Sequence, residues 1–375
     1  MKNSSSEKSK SVLFILPFWK RGGAEKQFRF IVEGFAEKGF DVDLILLNSK
    51  QKLERDFSLR RIFVWNLPIW NDTQNRFARN VFRFFGYLLF SIKFLLRSET
   101  YDSILSHHNL LVPLLPVFSL KANKVIFSLR EANPIYITRF YRHLLSFANI
   151  ITCNSEKTFE MIADKFRNVK LINNGITFRT DKCSVNLSSK IKKLGVVTNV
   201  TPRKNLGVVI KAMQRLPNRV SLEIAGEKSN RGYVKNLKKI VKDLDLKKRV
   251  RFLGYVDDIG NFYDSCDILV LPSLYEGTSN VILESIRAGK LILCSDIPEN
   301  RSVLLNNYKN ELLFDPQDPS DLASKVNLLD RKIMEEPKWI KSCIKDHFQM
   351  LKETYSVEDM QEKYLELLDF DFMED

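Results

Sequence analysis

Twice along this chain, short runs of branched and apolar residues alternate with stretches of helical length, and no other feature limits the fold as much. In the first half VLFILP (12–17) precedes a helix-like stretch from Ala24 to Lys38, and VDLILL (42–47), SILS (103–106), KVIFSL (124–129) and NIITC (149–153) follow. After residue 192 the pattern restarts with LGVVTNV (194–200), VSLEIAG (220–226), VRFLG (250–254), DILVLP (267–272), KLILCS (290–295) and ELLFD (311–315). Strands separated by helix-length segments predict a parallel sheet with crossover helices, here built twice. Between the halves, around Asn173 to Lys192, periodicity is lost and Ser, Asn and Lys accumulate. At about 150 residues per domain, 375 residues suggest two domains. The reading is a polar N-terminus (1–10), a first Rossmann-like domain (11–176), a linker (177–192), a second such domain (193–345), and C-terminal helices (346–375) packing back on the first domain. Ligands of such folds bind at the carboxyl ends of the strands, which places the expected site in a cleft between the two halves.

Composition narrows the function classes. Hydrophobic residues make up 44% of the chain, an ordinary share for a globular protein. The five cysteines are scattered, without CxxC pairs or histidines at metal spacing, so a reducing compartment and no zinc site are expected. The first ten residues are polar, and the apolar run behind them is too short for a signal-peptide core, so the chain is expected in the cytoplasm. A formal charge of +14 calls for nucleic acid, an anionic membrane or a phosphorylated small molecule. Nucleic acid ranks last, because no zinc finger, RNA-binding aromatic signature or compact basic recognition helix is present.

Neither half carries GxGxxG after its first strand, and there is no GxxxxGK[ST] loop, which weakens dehydrogenase and P-loop readings. The first strand instead runs into PFWKRGGAEKQ, where Gly22 and Gly23 can bring backbone N–H groups to an anion at a helix start, although a double glycine equally suits a plain tight turn. In the second half LGVVTNV runs into TPRKN, so Arg203 and Lys204 sit in a loop where two cations can hold a diphosphate. Solvated surface charge is the competing reading of those two residues. The stretch YEGTSNVILE (275–284) puts Glu276 in a loop after an apolar strand and Glu284 on the helix that follows.

Together these motifs resemble the retaining nucleotide-sugar glycosyltransferases of glycosyltransferase family 4, which have the GT-B fold: two Rossmann-like α/β domains facing each other across a cleft. The most specific block is residues 252–315, with FLGYV, the turn Asp267…Pro272-Ser273…Glu276-Gly277, and the glutamate pair Glu276 and Glu284. GGAE (22–25), NNG (173–175) and Lys204-Asn205 fall in the family's order. The resemblance implies that Glu284 binds the ribose diol of the donor, whose two hydroxyls both donate to a carboxylate. It implies that Glu276 reaches the donor sugar, and that Gly277 and Thr278 offer N–H groups at a helix start near the diphosphate. Gly22 and Gly23 then lie against the phosphates, and Gly254, Tyr255 and Val256 near the base. Many members carry an arginine five residues before the loop lysine; here that position is Asn199, and Arg203 is the candidate replacement. His108, of the pair His107-His108 at a strand end, aligns with a histidine that contacts the transferred sugar. Arg130 and Glu131, after KVIFSL, are candidate acceptor contacts, with an ordinary ion pair as the competing reading.

Residues 76–97, RFARNVFRFFGYLLFSIKFLLR, form a separate feature. At about 100° per residue Arg76, Arg79, Arg83, Lys93 and Arg97 share one arc of a helix, with Phe, Leu and Ile around the rest. Its uncharged core is too short to span a bilayer. It reads as a helix lying on an anionic leaflet, or as a core helix with one wet face.

The sequence thus predicts a cytoplasmic enzyme, peripheral on the inner membrane surface. It moves a sugar from a nucleoside-diphosphate donor, a UDP-sugar, to a lipid-linked or growing surface-polysaccharide acceptor such as O-antigen or capsule. Retention and independence from metal or other cofactor follow from the resemblance, with Glu276, Lys204 and His108 as the catalytic set. An epimerase or phosphorylase of the same fold and a catalytically silent nucleotide-sugar-binding subunit are the alternatives.

Overall fold

The computed structural model describes residues 10–17, 19, 22–47, 59–67, 76–131, 133–178, 183, 185 and 189–369. They form two compact units, one running to Gly175 and taking in the chain from Val357 onward, the other Ile176–Ser356.

The first unit is built on seven strands: β1 (Ser11–Leu16), β2 (Asp41–Leu46), β3 (Arg61–Val64), β4 (Tyr101–His107), β5 (Ala122–Leu129), β6 (Ile150–Cys153) and β7 (Val169–Leu171). All pair in parallel, in the order β3-β2-β1-β4-β5-β6-β7. The apolar run of β1 has a direct cause. Leu13 and Ile15 enter one core cluster while Val12, Phe14 and Leu16 enter another on the opposite face, so successive side chains are buried on both sides. Strands β3 and β7 escape the sequence reading because they are short and only half-buried. In β2, Asp43 is fully buried and serves as a clamp: it accepts from Arg61 (2.7 Å) and from the Tyr101 hydroxyl (2.8 Å).

The second unit repeats the plan with β8 (Lys193–Val197), β9 (Ser221–Ala225), β10 (Val250–Gly254), β11 (Ile268–Leu271), β12 (Leu291–Ser295) and β13 (Leu313–Phe314), in the parallel order β10-β9-β8-β11-β12-β13. In each unit the order reverses beside the first strand, between β1 and β4 and between β8 and β11. Chain leaving those two neighbouring strands diverges, which opens a crevice at their carboxyl ends.

Two boundaries differ from expectation. Helix Pro337–Thr354 stays in the second unit, where Cys343, Ile344, Phe348 and Leu351 fill its core, and only helix Val357–Asp369 joins the first. There Gln361 donates to the Phe30 carbonyl (2.7 Å), and the Tyr364 hydroxyl lies 3.3 Å from Ser128 and 3.1 Å from Thr152. The NNG motif closes the same unit. Gln27 exchanges two hydrogen bonds with the backbone of Gly175, and a Cβ on that glycine would lie 2.7 Å from the Val357 Cα. The expected linker is held wherever it is described: Phe178 packs edge-on against Phe348, and Ile191 is buried in the second core. Residues 179–182, 184 and 186–188 lie outside the described residues.

Helix Arg76–Leu95 inverts the core-helix alternative. Its packed stripe carries Phe90 and Phe94, stacked on each other and against Trp65 and Phe118, and the half-buried Arg79, Arg83 and Arg97 lie towards that side. The face left in solvent is the apolar one. No helix among the described residues is long and apolar enough to cross a membrane.

Candidate active site

At the second unit's switch point the loops after β8 and β11 meet. Pro202–Lys204 forms a single 3₁₀ turn, ended by Asn205 in the left-handed region (φ 49°), after which helix Leu206–Ala212 begins. Asparagine tolerates that conformation, and its side-chain amide donates to the Pro316 carbonyl (2.7 Å). The turn aims both cations at the neighbouring loop. The Lys204 ammonium is paired with Oε1 of Glu276, and Arg203 Nη1 lies 3.4 Å from Oε2. The Arg203 guanidinium sits over the Tyr275 ring (5.3 Å), and its backbone carbonyl accepts from Leu274 N–H (3.0 Å). Glu276 is 7% exposed, so this is a carboxylate drawn out of water between two cations. Burial pushes the Lys204 ammonium below the ordinary lysine value, with Glu276 opposing that shift and Arg203 adding to it.

The loop carrying Glu276 rests on a buried polar floor. The Ser295 hydroxyl donates to the Ser273 carbonyl, and the Asn300 amide donates to the Ser295 carbonyl (2.8 Å). Gly277 and Thr278 belong to this loop and precede the helix, which runs Asn280–Arg287 behind the N-cap Ser279; no side chain caps it. Glu284 lies on that helix, half-buried, and accepts a hydrogen bond from the fully buried Tyr263 hydroxyl (2.8 Å). Burial first, then the Glu284 charge, raise the Tyr263 pKa far above the ordinary range, so the phenol stays a donor and orients the carboxylate. Sequence reading missed Tyr263. Its signal was an aromatic with a polar tip beside Phe262 in the short helix Ile259–Ser265.

Gly226 is a second omission. Its φ is 141°, and a Cβ there would lie 1.9 Å from the Thr198 carbonyl oxygen, so only glycine lets the loop after β9 cross the loop after β8. Its N–H donates to the Gly254 carbonyl (2.7 Å), which ties in the segment Gly254-Tyr255-Val256. Gly254 has φ 80°, Tyr255 is half-exposed and Val256 leans on the core. Asn199 is exposed beside this crossing, and Arg203 is the arginine that accompanies Lys204. Asp267, part of the same motif, faces the opposite end of the sheet, where it accepts the N–H groups of Lys192 (2.7 Å) and Lys193 (2.8 Å) and anchors the start of β8.

In the first unit the predicted residues also sit at the switch point, between β1 and β4. Gly22 is the N-cap and Gly23 the first residue of helix Gly23–Glu37. His108 follows β4 with φ 89° and ψ 129°, a conformation costly for a residue with a Cβ. Its Nδ1 accepts from Leu110 N–H (3.2 Å), so the neutral ring carries its proton on Nε2. Burial lowers its pKa, Glu131 opposes that and Arg83 reinforces it. His107 is a core residue stacked on Phe28 (4.1 Å between centroids). Arg130 and Glu131 are not paired with each other. Arg130 donates to Asn174 (2.9 Å) and Tyr364 (3.3 Å), fastening the C-terminal helix, and Glu131 accepts from Asn109 (3.1 Å).

Residues 178–368 match the family described as glycosyl transferases group 1, and residues 21–179 match glycosyltransferase family 4. The chain belongs to the glycosyl transferases group 1 family. It is 26% identical over 320 residues to the lipopolysaccharide core biosynthesis glycosyltransferase LpsE of Rhizobium meliloti, covering 82% of this chain and 86% of that one. It is 23% identical over 333 residues to the N-acetylgalactosamine-N,N'-diacetylbacillosaminyl-diphospho-undecaprenol 4-alpha-N-acetylgalactosaminyltransferase of Campylobacter jejuni, covering 83% and 88%. Among solved structures, Anabaena HepE in complex with UDP and glucose matches with a TM-score of 0.74 at 18% identity, over 96% of this chain and all (100%) of that one. That likeness establishes the GT-B fold, with its two Rossmann-like units, for this glycosyltransferase.

Proposed function

We propose that this glycosyltransferase transfers a hexosyl or N-acetylhexosaminyl group from a UDP-sugar to a lipid-diphosphate-linked glycan, with retention at the anomeric carbon, on the cytoplasmic face of the inner membrane. The observation that carries the reading is the pairing of Lys204 and Arg203 with Glu276 at the second unit's switch point, beside a Glu284 oriented by Tyr263. In the transfer the bond between the anomeric carbon and the β-phosphate oxygen breaks, and its electron pair stays on the diphosphate. Lys204 and Arg203 stabilise that charge. The acceptor hydroxyl forms the new bond from the face being vacated, and its proton passes to the departing diphosphate oxygen, so no protein nucleophile is assigned.

Glu284 takes the ribose diol, Glu276 the transferred sugar, and Gly254 to Val256 the base. From the resemblance, Gly22 and Gly23 contribute N–H groups to the phosphates, and His108 donates Nε2–H to the sugar. The two cations supply the charge a leaving diphosphate needs, and the reading assigns no metal. Support for the acceptor class comes from relatives named for diphospho-undecaprenol acceptors, and support for the donor from the HepE complexes with UDP. A panel of UDP-sugars incubated with the protein and a lipid extract, with UDP release as readout and the product's anomeric configuration read by NMR, tests it. Inverted product would overturn retention. Tight UDP binding without turnover on any donor would make the chain a binding subunit.

A further inference from the structure

Helix Arg76–Leu95 turns large apolar side chains to solvent along its whole length: Phe77 is 78% exposed, Phe84 65%, Phe85 52% and Leu89 50%, and Leu96 just beyond its end is 81% exposed. At about 100° per residue the exposed apolar positions cover an arc of roughly 160°, and the helix is about 30 Å long. The 3₁₀ turn Asn109–Leu114 that begins at His108 packs against this helix and against a second one, Arg139–Leu145. The second segment repeats the pattern: Phe140 is 65% exposed, and Ile135, Ile137 and Phe147 are also exposed.

The charge pattern selects the occupant. Residues 76–98 hold five Arg or Lys and no acid, and residues 132–155 hold Arg139, Arg142 and His143 and no acid. Arg139 and Arg142 are exposed beside Phe140, and Lys93 is exposed at the rim with its ammonium over the Trp65 ring (4.6 Å). Arg97, at the helix end, is paired with Glu99 (3.2 Å), and Lys93, Arg139 and Arg142 are the exposed cations that flank the apolar face. A convex apolar face with a basic rim of this kind has the chemistry of an interfacial helix on an anionic leaflet.

We propose that helix Arg76–Leu95 and the segment from Pro134 to Phe147 form one surface that seats on an anionic lipid bilayer, holding the turn that begins at His108 at the lipid–water boundary. This rests on the lipid-linked acceptor reading and deepens it. A lipid diphosphate anchored in the same leaflet would present its sugar at the level of His108, and the half-buried Arg79 and Arg83 would face its phosphates. Two elements, rather than one helix, define the seating, so the orientation of the turn is specified as well as its depth.

The test is co-sedimentation of the full chain with vesicles of phosphatidylcholine alone and of phosphatidylcholine mixed with phosphatidylglycerol. Binding is expected to the mixed vesicles, weakened by salt, and at least tenfold weaker to the neutral ones. The paired changes Phe140→Ser with Phe147→Ser, and separately Phe84→Ser with Phe85→Ser, should each weaken mixed-vesicle binding about tenfold or more. Arg139→Glu with Arg142→Glu should do the same. All lie on the surface, so UDP affinity and turnover on a water-soluble acceptor analogue should be unchanged. Wild-type binding by the Phe140/Phe147 variant would remove the second segment from the surface. Equal binding to both vesicle types, or to neither, would overturn the proposal, as would a stable dimer that Phe84→Ser with Phe85→Ser disperses. A wild-type chain that binds no vesicle yet keeps soluble turnover defeats this inference alone, whereas absent UDP binding defeats the functional reading beneath it.

Discussion

Replacing Glu276 by Gln keeps the shape of the loop and removes one charge. In the present arrangement one carboxylate faces two cations, Lys204 at Oε1 and Arg203 at Oε2. For Arg203, 3.4 Å away, the bare Coulomb energy at an effective dielectric near 20 is about 5 kcal/mol. Its side chain is 33% exposed, however, and solvent reduces a pair of that kind to about 1 kcal/mol or less. Lys204, 14% exposed, keeps more of its interaction; a hydrogen bond to a charged group contributes about 1.5–3 kcal/mol. A diphosphate that recruits Lys204 must displace this partner, so Glu276 and the nucleotide compete for one ammonium. With about 1.4 kcal/mol per tenfold, Glu276→Gln should tighten UDP binding about tenfold, the remaining carboxamide oxygen retaining part of the competition. Turnover should fall about 100-fold or more, because the proposed function sets this carboxylate against the transferred sugar. Lys204→Met should move UDP affinity the other way, weakening it about tenfold or more. Calorimetric titration with UDP and initial rates of UDP release measure both quantities. If the two variants shifted UDP affinity in the same direction, the competition argument would be wrong.

Three further outcomes follow from the same geometry. Tyr263→Phe should weaken UDP binding about fivefold to tenfold by leaving Glu284 unoriented, and Glu284→Ala should weaken it more; unchanged affinity in Tyr263→Phe would reduce that hydroxyl to a packing role. Gly226→Ala forces a Cβ against the Thr198 carbonyl and should cost about 3 kcal/mol or more, read as a lower urea midpoint for the second unit together with weaker UDP binding. Because burial holds Lys204 below the ordinary lysine value of 10.5, its positive charge is complete at low pH and is lost as pH rises through the lowered value. UDP affinity should therefore decline with rising pH before 10.5 is reached, and that decline should be absent in Lys204→Met.

Much of the candidate site was legible as residue types in order, because its side chains are carried by loops whose neighbours are strands with a clear apolar signature. Lys204 and Glu276 stand out as charged residues in the loops after LGVV and ILVL, and Glu284 on the helix that follows, where a parallel sheet presents its ligand edge. The supporting shell was not legible. Tyr263 meets Glu284 across 21 positions of sequence, and Gly226 meets Thr198 only because two parallel strands place their ends side by side. The basic arc at 76–97 was legible as an arc, but not which side of it faced the core. An arc of charge and an arc of phenylalanine are equally amphipathic, and hydropathy alone favours burying the second.

The sequence by itself determined two parallel α/β units, the positions of the acid pair and the loop cations, and the family. Each is a local or periodic property: apolar runs of strand length, turns at their ends, and charged residues in the loops and helix starts that follow. Tertiary structure alone decided that Lys204 and Arg203 share a single carboxylate, and that Arg130 fastens the C-terminal helix. It alone decided that the chain breaks between units at Ser356 rather than near 345, and that the phenylalanines of helix Arg76–Leu95 face solvent. Those facts depend on which side chains long-range packing brings together. In this helix Phe90 and Phe94 find Trp65 and Phe118, whereas Phe84 and Phe85 have no apolar partner among the described core clusters.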